Sequence, residues 1–270
     1  MLACPVDRLA LTRFDTTYKC QRGHSYDIAR EGYVNLLPPG RPSRKNAGDD
    51  KASIAARRRF LDAGNYRSLV DALTTLASTL PRASVLDVGC GEGYYTGRLP
   101  GDAVVGVDIS VAGITAAARA YRAATFAVGN AAALPIVTGS VDLAVSVFAP
   151  VEPDEVARVL TPGGHALVAV PGADHLAALR ERLYETARPH DEVVPLTDDA
   201  RFEVVHQQRV SSTVTIATPD ALDDVLTMTP YRFAVPPEAV ARAAATRTPL
   251  KTPIAFVLAV LQRRESGDGP

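Results

Sequence analysis

Gly89, Gly91 and Gly93 alternate along Asp87-Val88-Gly89-Cys90-Gly91-Glu92-Gly93, directly after the apolar run Val85-Leu86. Glycines at this spacing let a ligand approach the backbone at the tip of a buried strand, where a Cβ would block it or forbid the turn. Asp108 follows Val104-Val105-Gly106-Val107, so a second strand ends in an acid placed to take both hydroxyls of a ribose. The dinucleotide pattern G-x-G-x-x-G seats a pyrophosphate on a helix N-terminus. Glu92 stands where that pyrophosphate would lie. An acid there repels phosphate and suits a nucleoside cofactor that carries none.

A second set of residues has the spacing of a metal site. Cys4-Pro5-Val6-Asp7 and Cys20-Gln21-Arg22-Gly23-His24 read as C-x2-D and C-x3-H knuckles with 12 residues between them. Zinc takes four N, S or O donors in a tetrahedron, and two short knuckles supply them without a large core. Plain thiols with Asp7 as a turn residue fit the same spacing. The N-terminal part is also basic. Residues 1–67 hold 13 Lys and Arg against 7 Asp and Glu, and the remainder holds 16 against 23, although the whole chain is nearly neutral at −1. A basic end on an acidic body suits a polyanion-binding module beside a catalytic domain. Arg41, Arg44 and Lys45 in a Pro/Gly-rich loop, and Arg57-Arg58-Arg59 on the following helix, are the candidate phosphate contacts.

These groups need elements to position them. With 270 residues and 47% hydrophobic content the chain can bury a substantial core, no apolar run reaches membrane-spanning length, and the N-terminus lacks a signal-peptide core. Three cysteines give no even disulfide framework, so a cytoplasmic enzyme is expected. Hydrophobic periodicity predicts helices over 51–63 and 66–80. From 84 onward it predicts strands at 84–88, 103–107, 124–128, 141–147, 165–170, 202–217 and 254–262, with helices at 93–99, 111–121, 152–159, 173–187 and 219–227. Such alternation gives an α/β fold, a doubly wound, Rossmann-like parallel sheet closed by an antiparallel pair. The expected organisation is a small module at 1–38, a basic loop and helix at 39–66, and a catalytic domain at 67–270.

The Asp87-x-Gly89-x-Gly91-x-Gly93 pattern resembles motif I of class I S-adenosylmethionine-dependent methyltransferases. Ligands in such folds sit outside the C-terminal ends of the strands. Asp87, Gly89, Gly91 and Gly93 would then surround the methionine moiety and Asp108 take the ribose, with Glu92, Tyr94 and Tyr95 also at the cofactor. Ile109, Asn130 and Ala131 would sit at the adenine, and Phe148 beside the transferred methyl.

Further segments extend the resemblance: the Cys4-Pro5 and Cys20-x3-His24 knuckles, Tyr26 to Leu37, Gly48-Asp49, Ala56 to Tyr66, Phe148-Ala149-Pro150, Leu160-x-Pro162-Gly163-Gly164 and Pro171-Gly172-x-x-His175-Leu176. Together they resemble the RlmA-type 23S rRNA (guanine-N1)-methyltransferase family, which includes macrolide-resistance enzymes. The likeness covers residues 4–176, with Met228-Thr229-Pro230 a short echo beyond.

The resemblance implies methyl transfer from S-adenosylmethionine to N1 of a guanine in a 23S rRNA hairpin. It also implies Tyr66 and His175 facing the cofactor, zinc on Cys4, Asp7, Cys20 and His24, and a homodimer that joins two basic modules. Asp7 departs from the family, which is similar to C-x2-C at this knuckle. Two outcomes stay open: Asp7 completes the tetrahedron through one oxygen, or the metal is lost and packing holds the knuckles. The same departure motivates the alternative of a small natural-product acceptor. Guanine N1 must lose a proton, so a base is required. Asp154, Glu155, Asp174 and the RNA itself are the candidates, and the catalytic residue stays unassigned.

Overall fold

The computed structural model describes residues 1–38, 48–245 and 248–265. Three short strands, β1 (Thr12–Phe14), β2 (Thr17–Lys19) and β3 (Ser25–Asp27), make a small antiparallel sheet around the N-terminal knuckles. Next come β4 (Tyr33–Asn35), α1 (Lys51–Asp62) and α2 (Arg67–Ser78). The alternating part runs β5 (Ser84–Val88), β6 (Ala103–Asp108), α3 (Val111–Ala120), β7 (Thr125–Val128), β8 (Val141–Val147), α4 (Pro153–Val159) and β9 (Leu160–Pro171). The closing part is α5 (Ala177–Leu183), β10 (Phe202–Ile216), α6 (Pro219–Met228), α7 (Tyr231–Ala234), α8 (Pro237–Ala244) and β11 (Leu250–Arg263).

The main sheet has eight strands in the order β10-β11-β9-β8-β5-β6-β7-β4. Strands β4 to β9 run parallel, while β11 is antiparallel to both neighbours. The central strands are apolar on both faces because helices cover both. Val85, Val145, Leu167 and Leu258 enter one buried cluster, while their sequence neighbours Leu86, Ala144, Val168 and Val257 enter another. The doubly wound, Rossmann-like expectation holds, and the chain reverses direction across the sheet between β5 and β8, where ligands in such folds bind.

Three local expectations are corrected. The helix expected over 93–99 is a tight turn with a single 3-10 segment, Thr96–Arg98, because Gly93 at φ +77 breaks any continuous helix there. The helix expected over 173–187 shrinks to α5, since Leu176 is left-handed and the chain is extended again at Tyr184. β4, expected inside the small module, is instead the outer strand of the main sheet, pairing Tyr33, Val34 and Asn35 with Phe126, Ala127 and Val128. No helix among the described residues is long and apolar enough to cross a membrane.

Candidate functional site

A cleft of about 880 Å³ opens at the C-terminal ends of β5, β6 and β8. Of the residues expected at the cofactor, Gly89, Gly91, Glu92, Tyr95, Asp108, Ile109, Asn130, Ala131, Phe148, Tyr66 and His175 line it. Asp87, Gly93 and Tyr94 do not line it; they build its floor. Asp87 is buried and accepts a 2.6 Å hydrogen bond from the Thr96 hydroxyl, which clamps the glycine turn. Gly93 lies beneath Ala117, Tyr121 and Phe126, where a Cβ would have no room. The Tyr94 hydroxyl donates to the Leu61 carbonyl at 3.0 Å. Gly89, at φ +73, faces the Ala149 side chain so closely that a Cβ would sit 2.3 Å from it. That glycine brings the β5 and β8 loops together at the mouth of the cleft.

The cleft is acidic. Asp108 accepts N–H bonds from Gly91 (2.9 Å) and Ser110 (2.7 Å), yet burial still raises its pKa above the ordinary carboxylate value. Burial also raises Glu92, although Arg57 stands beside it at 3.5 Å. Asp49 adds a third carboxylate, 2.5 Å from Arg57. Three acids around one guanidinium disfavour a phosphate and suit a cationic sulfonium cofactor. Gly91 sits at φ +54, a left-handed backbone that side-chain-bearing residues rarely adopt, and a Cβ there would make only ordinary contact with Arg57 at 3.4 Å. These residues therefore fit S-adenosylmethionine, with Asp108 available to its ribose and Phe148 at the far end. Phe148 is half-exposed and held at φ +57, a strained value for a bulky residue, by its N–H bond to Ala169 (3.0 Å).

The four candidate metal donors converge. One donor atom each from Cys4, Asp7, Cys20 and His24 lies within 4.8 Å of the others. His24 Nδ1 is 3.1 Å from Asp7 Oδ2 and 3.4 Å from both sulfurs, and Cys20 Sγ is 3.3 Å from Asp7 Oδ2. Zinc bonds of about 2.0–2.3 Å in a tetrahedron give edges of this size. Asp7 Oδ1 accepts the Leu9 N–H at 3.1 Å, leaving Oδ2 as a single-oxygen donor. The Tyr26 hydroxyl lies 3.0 Å from Cys4 Sγ and braces that ligand from outside. The group can bind zinc, and the first of the two outcomes for Asp7 fits this geometry.

Comparison with known proteins follows this division. A zinc-ribbon family described as "RlmA, N-terminal" matches residues 2–42, and the family "Methyltransferase domain" matches residues 85–164. The 23S rRNA (guanine(748)-N(1))-methyltransferase of Streptomyces fradiae is 35% identical over 261 residues, covering 89% of both chains. The chain belongs to the RlmA-type 23S rRNA (guanine-N1)-methyltransferase family. A putative 23S rRNA (guanine-N(1)-)-methyltransferase of Micromonospora griseorubida is 37% identical over 67% of this chain and 69% of its own. Among solved structures, a putative methyltransferase in complex with the Haloferax volcanii Trm112 activator superposes with a TM-score of 0.50. It shares 22% identity over 81% of this chain and all of that one, and shows the fold alone.

This RlmA-type methyltransferase does not present its three helical arginines as one outward face. Arg57 turns into the cofactor cleft, where it pairs with Asp49 and Glu92 and donates to the Met228 carbonyl at 3.2 Å. Arg59 forms a two-pronged bond to Asp224 of α6. Arg58 pairs along the helix with Asp62 at 3.6 Å and is only partly exposed, while Arg59 is the most exposed of the three. Arg41, Arg44 and Lys45 lie outside the described residues.

The sequence-proposed bases also move away from the cleft. Asp154 pairs with Arg201, Glu155 with Arg158 and Arg8, and Asp174 with Arg209; none lines the cavity. His175 is buried with both ring nitrogens engaged, Nε2 to the Tyr66 hydroxyl (3.0 Å) and Nδ1 at the Ala255 backbone (3.1 Å). Burial, with His190 nearby, lowers its pKa to about 3, so it stays neutral and structural.

Sequence reasoning missed several cleft residues of this methyltransferase: Asp49, Arg57, Glu152, His190 and the Met228–Tyr231 turn. Met228-Thr229-Pro230 carried a signal, as a family echo far from the glycine motif. His190 and Tyr231 carried none, because only the fold brings them to this cleft.

Proposed function

We propose that this enzyme transfers the methyl group of S-adenosylmethionine to N1 of a guanine in a 23S rRNA hairpin, and thereby protects the ribosome of its host against a macrolide-type antibiotic. Bound S-adenosylmethionine supplies an electrophilic methyl on a sulfonium. The chain's part is to align the acceptor with that methyl, exclude water and remove the N1 proton. The observation that carries the reading is an acidic, phosphate-averse cleft and a closed four-donor module on one chain whose 89% coverage matches a relative of that named activity. Asp7 sits inside the donor group, so it no longer favours a small natural-product acceptor.

The RNA partner explains the basic N-terminal balance of 13 cations against 7 anions. A cytoplasmic location follows from a ribosomal substrate. A homodimer presenting two modules to one RNA belongs to the same reading, and light scattering of free and RNA-bound protein tests it.

The deciding experiment is transfer of labelled methyl to unmodified 23S rRNA, with primer extension to map the product. A single stop at one guanine supports the reading, because N1 methylation blocks base pairing. Cofactor binding without an rRNA product overturns it. Growth of a susceptible host on macrolides, with wild type against Asp108→Ala, tests the protective role.

A further inference from the structure

Residues 173–174 and 188–192 are stapled together beside the cleft. The Ala173 carbonyl accepts the His190 N–H (3.1 Å) and an Arg180 guanidinium N–H (2.6 Å). Arg180 also reaches the Arg188 carbonyl, and Glu192 accepts the Ala173 N–H at 2.6 Å. This staple fixes the backbone of His190 at the wall of the cavity. The ring is fixed as well. Its Nε2 lies 3.0 Å from the Tyr231 hydroxyl, and the two rings stack at 25°. Nδ1 has no hydrogen-bond partner among the described residues. His190 is half-buried, and its ring centroid is 6.2 Å from that of His175, which in turn is 6.3 Å from Phe148 at the end of β8.

Building on the rRNA reading above, we propose that His190 is the base that takes the N1 proton of the acceptor guanine through Nδ1, with Tyr231 as the positioning residue that holds its ring. In this arrangement the Tyr231 oxygen accepts from Nε2–H, which leaves the Nδ1 lone pair free to take a proton. The guanine N1–H bond breaks toward Nδ1 and its electron pair forms the new N–CH3 bond. The electron pair of the departing C–S bond goes to sulfur. The proton then leaves the imidazolium for solvent.

The other titratable lining groups do not compete. His175 has both nitrogens engaged, Tyr66 is spent on His175, Asp49 and Glu92 are paired with Arg57, and Asp108 accepts from the Gly91 and Ser110 N–H groups. Glu152 lines the cavity but is exposed, and its side chain has no hydrogen bond or ion pair among the described residues. Four groups bear on the ionisation of His190. Burial and the Arg180 charge lower its pKa, Asp191 raises it, His175 is neutral, and burial pushes Tyr231 up to about 12 so its phenol stays intact. The imidazole is neutral and proton-accepting at neutral pH.

The test compares wild type, His190→Ala, Tyr231→Phe and Glu152→Gln on 23S rRNA. His190→Ala should lower kcat at least about 100-fold, as removal of a general base does. Its KM for rRNA and its S-adenosylmethionine affinity by calorimetry should stay within about twofold, and added imidazole should restore turnover. In Tyr231→Phe the acidic limb of the pH–rate profile and the His190 NMR titration should move together. Wild-type kcat in His190→Ala, or a collapse in Glu152→Gln alone, overturns the assignment. Absence of any rRNA product with wild type overturns the underlying reading instead.

Discussion

At the scale of single residues, the cleft is a set of buried acids whose ionisation the fold controls. Asp108 is the acid that the resemblance assigns to the ribose, so Asp108→Ala should weaken S-adenosylmethionine binding by about 1.5–3 kcal/mol, the range for a hydrogen bond to a charged group. Calorimetry reads this, and unchanged affinity removes Asp108 from the site. Asp87 makes a different prediction. Burial raises its pKa from 3.8 to about 7, against the hydrogen bond from Thr96. The folded state therefore holds a proton that the unfolded chain has released between those values. That contribution to stability is full below pH 3.8 and is lost as pH rises toward 7, with a slope of up to about 1.4 kcal/mol per pH unit. In Asp87→Asn that part of the slope should vanish from denaturant midpoints measured across the range. An identical pH dependence in both proteins would show that Asp87 is ionised in the fold. The glycines and both acids were legible from residue type and spacing alone. Their division into cleft wall and cleft floor was not, because spacing along a turn does not say which side faces the ligand.

At the scale of elements, α1 shows how a charge run misleads. Three consecutive arginines project about 100° apart on a helix, so they meet three different environments. Arg57 faces Asp49 and Glu92, Arg59 faces Asp224, and Arg58 faces along the helix to Asp62. Single variants should separate these roles. Arg57→Ala should weaken the cofactor and leave Glu92 buried without its partner. Arg58→Ala should spare the cofactor, lower rRNA affinity several-fold and reduce the salt dependence of binding by about one phosphate contact. Equal loss of cofactor affinity in both would make α1 a structural element only. The boundaries of α1, α2 and most strands were legible because apolar periodicity is strong. The 93–99 segment was not, since its polar and glycine residues fit a helix start and a tight turn equally well.

At the scale of the whole molecule, the zinc-type module is joined to the catalytic body rather than tethered. Ala3 N–H bonds the Pro135 carbonyl at 2.8 Å, the Arg8 guanidinium bonds the Leu134 carbonyl at 2.9 Å, and β4 completes the main sheet directly after β3. Removing zinc by chelation should therefore lower the melting temperature of the entire protein in one transition, with metal content near one per chain beforehand. Asp7→Cys should tighten zinc, because thiolate is the softer and more usual donor. A chromophoric chelator reads that affinity, and metal content well below one per chain in purified wild type would sink the zinc assignment. The sequence by itself determined the doubly wound fold, the cofactor class, the family and the four candidate metal donors. Each of these rests on residue types at short, fixed separations, where local backbone geometry dictates who stands beside whom. Only the tertiary structure decided that Arg57 turns into the cleft, that β4 closes the sheet, and that His190 and Tyr231 meet across 41 residues at the cleft. Those neighbours are chosen by how sheet and helices pack, and no periodicity along the chain records that choice.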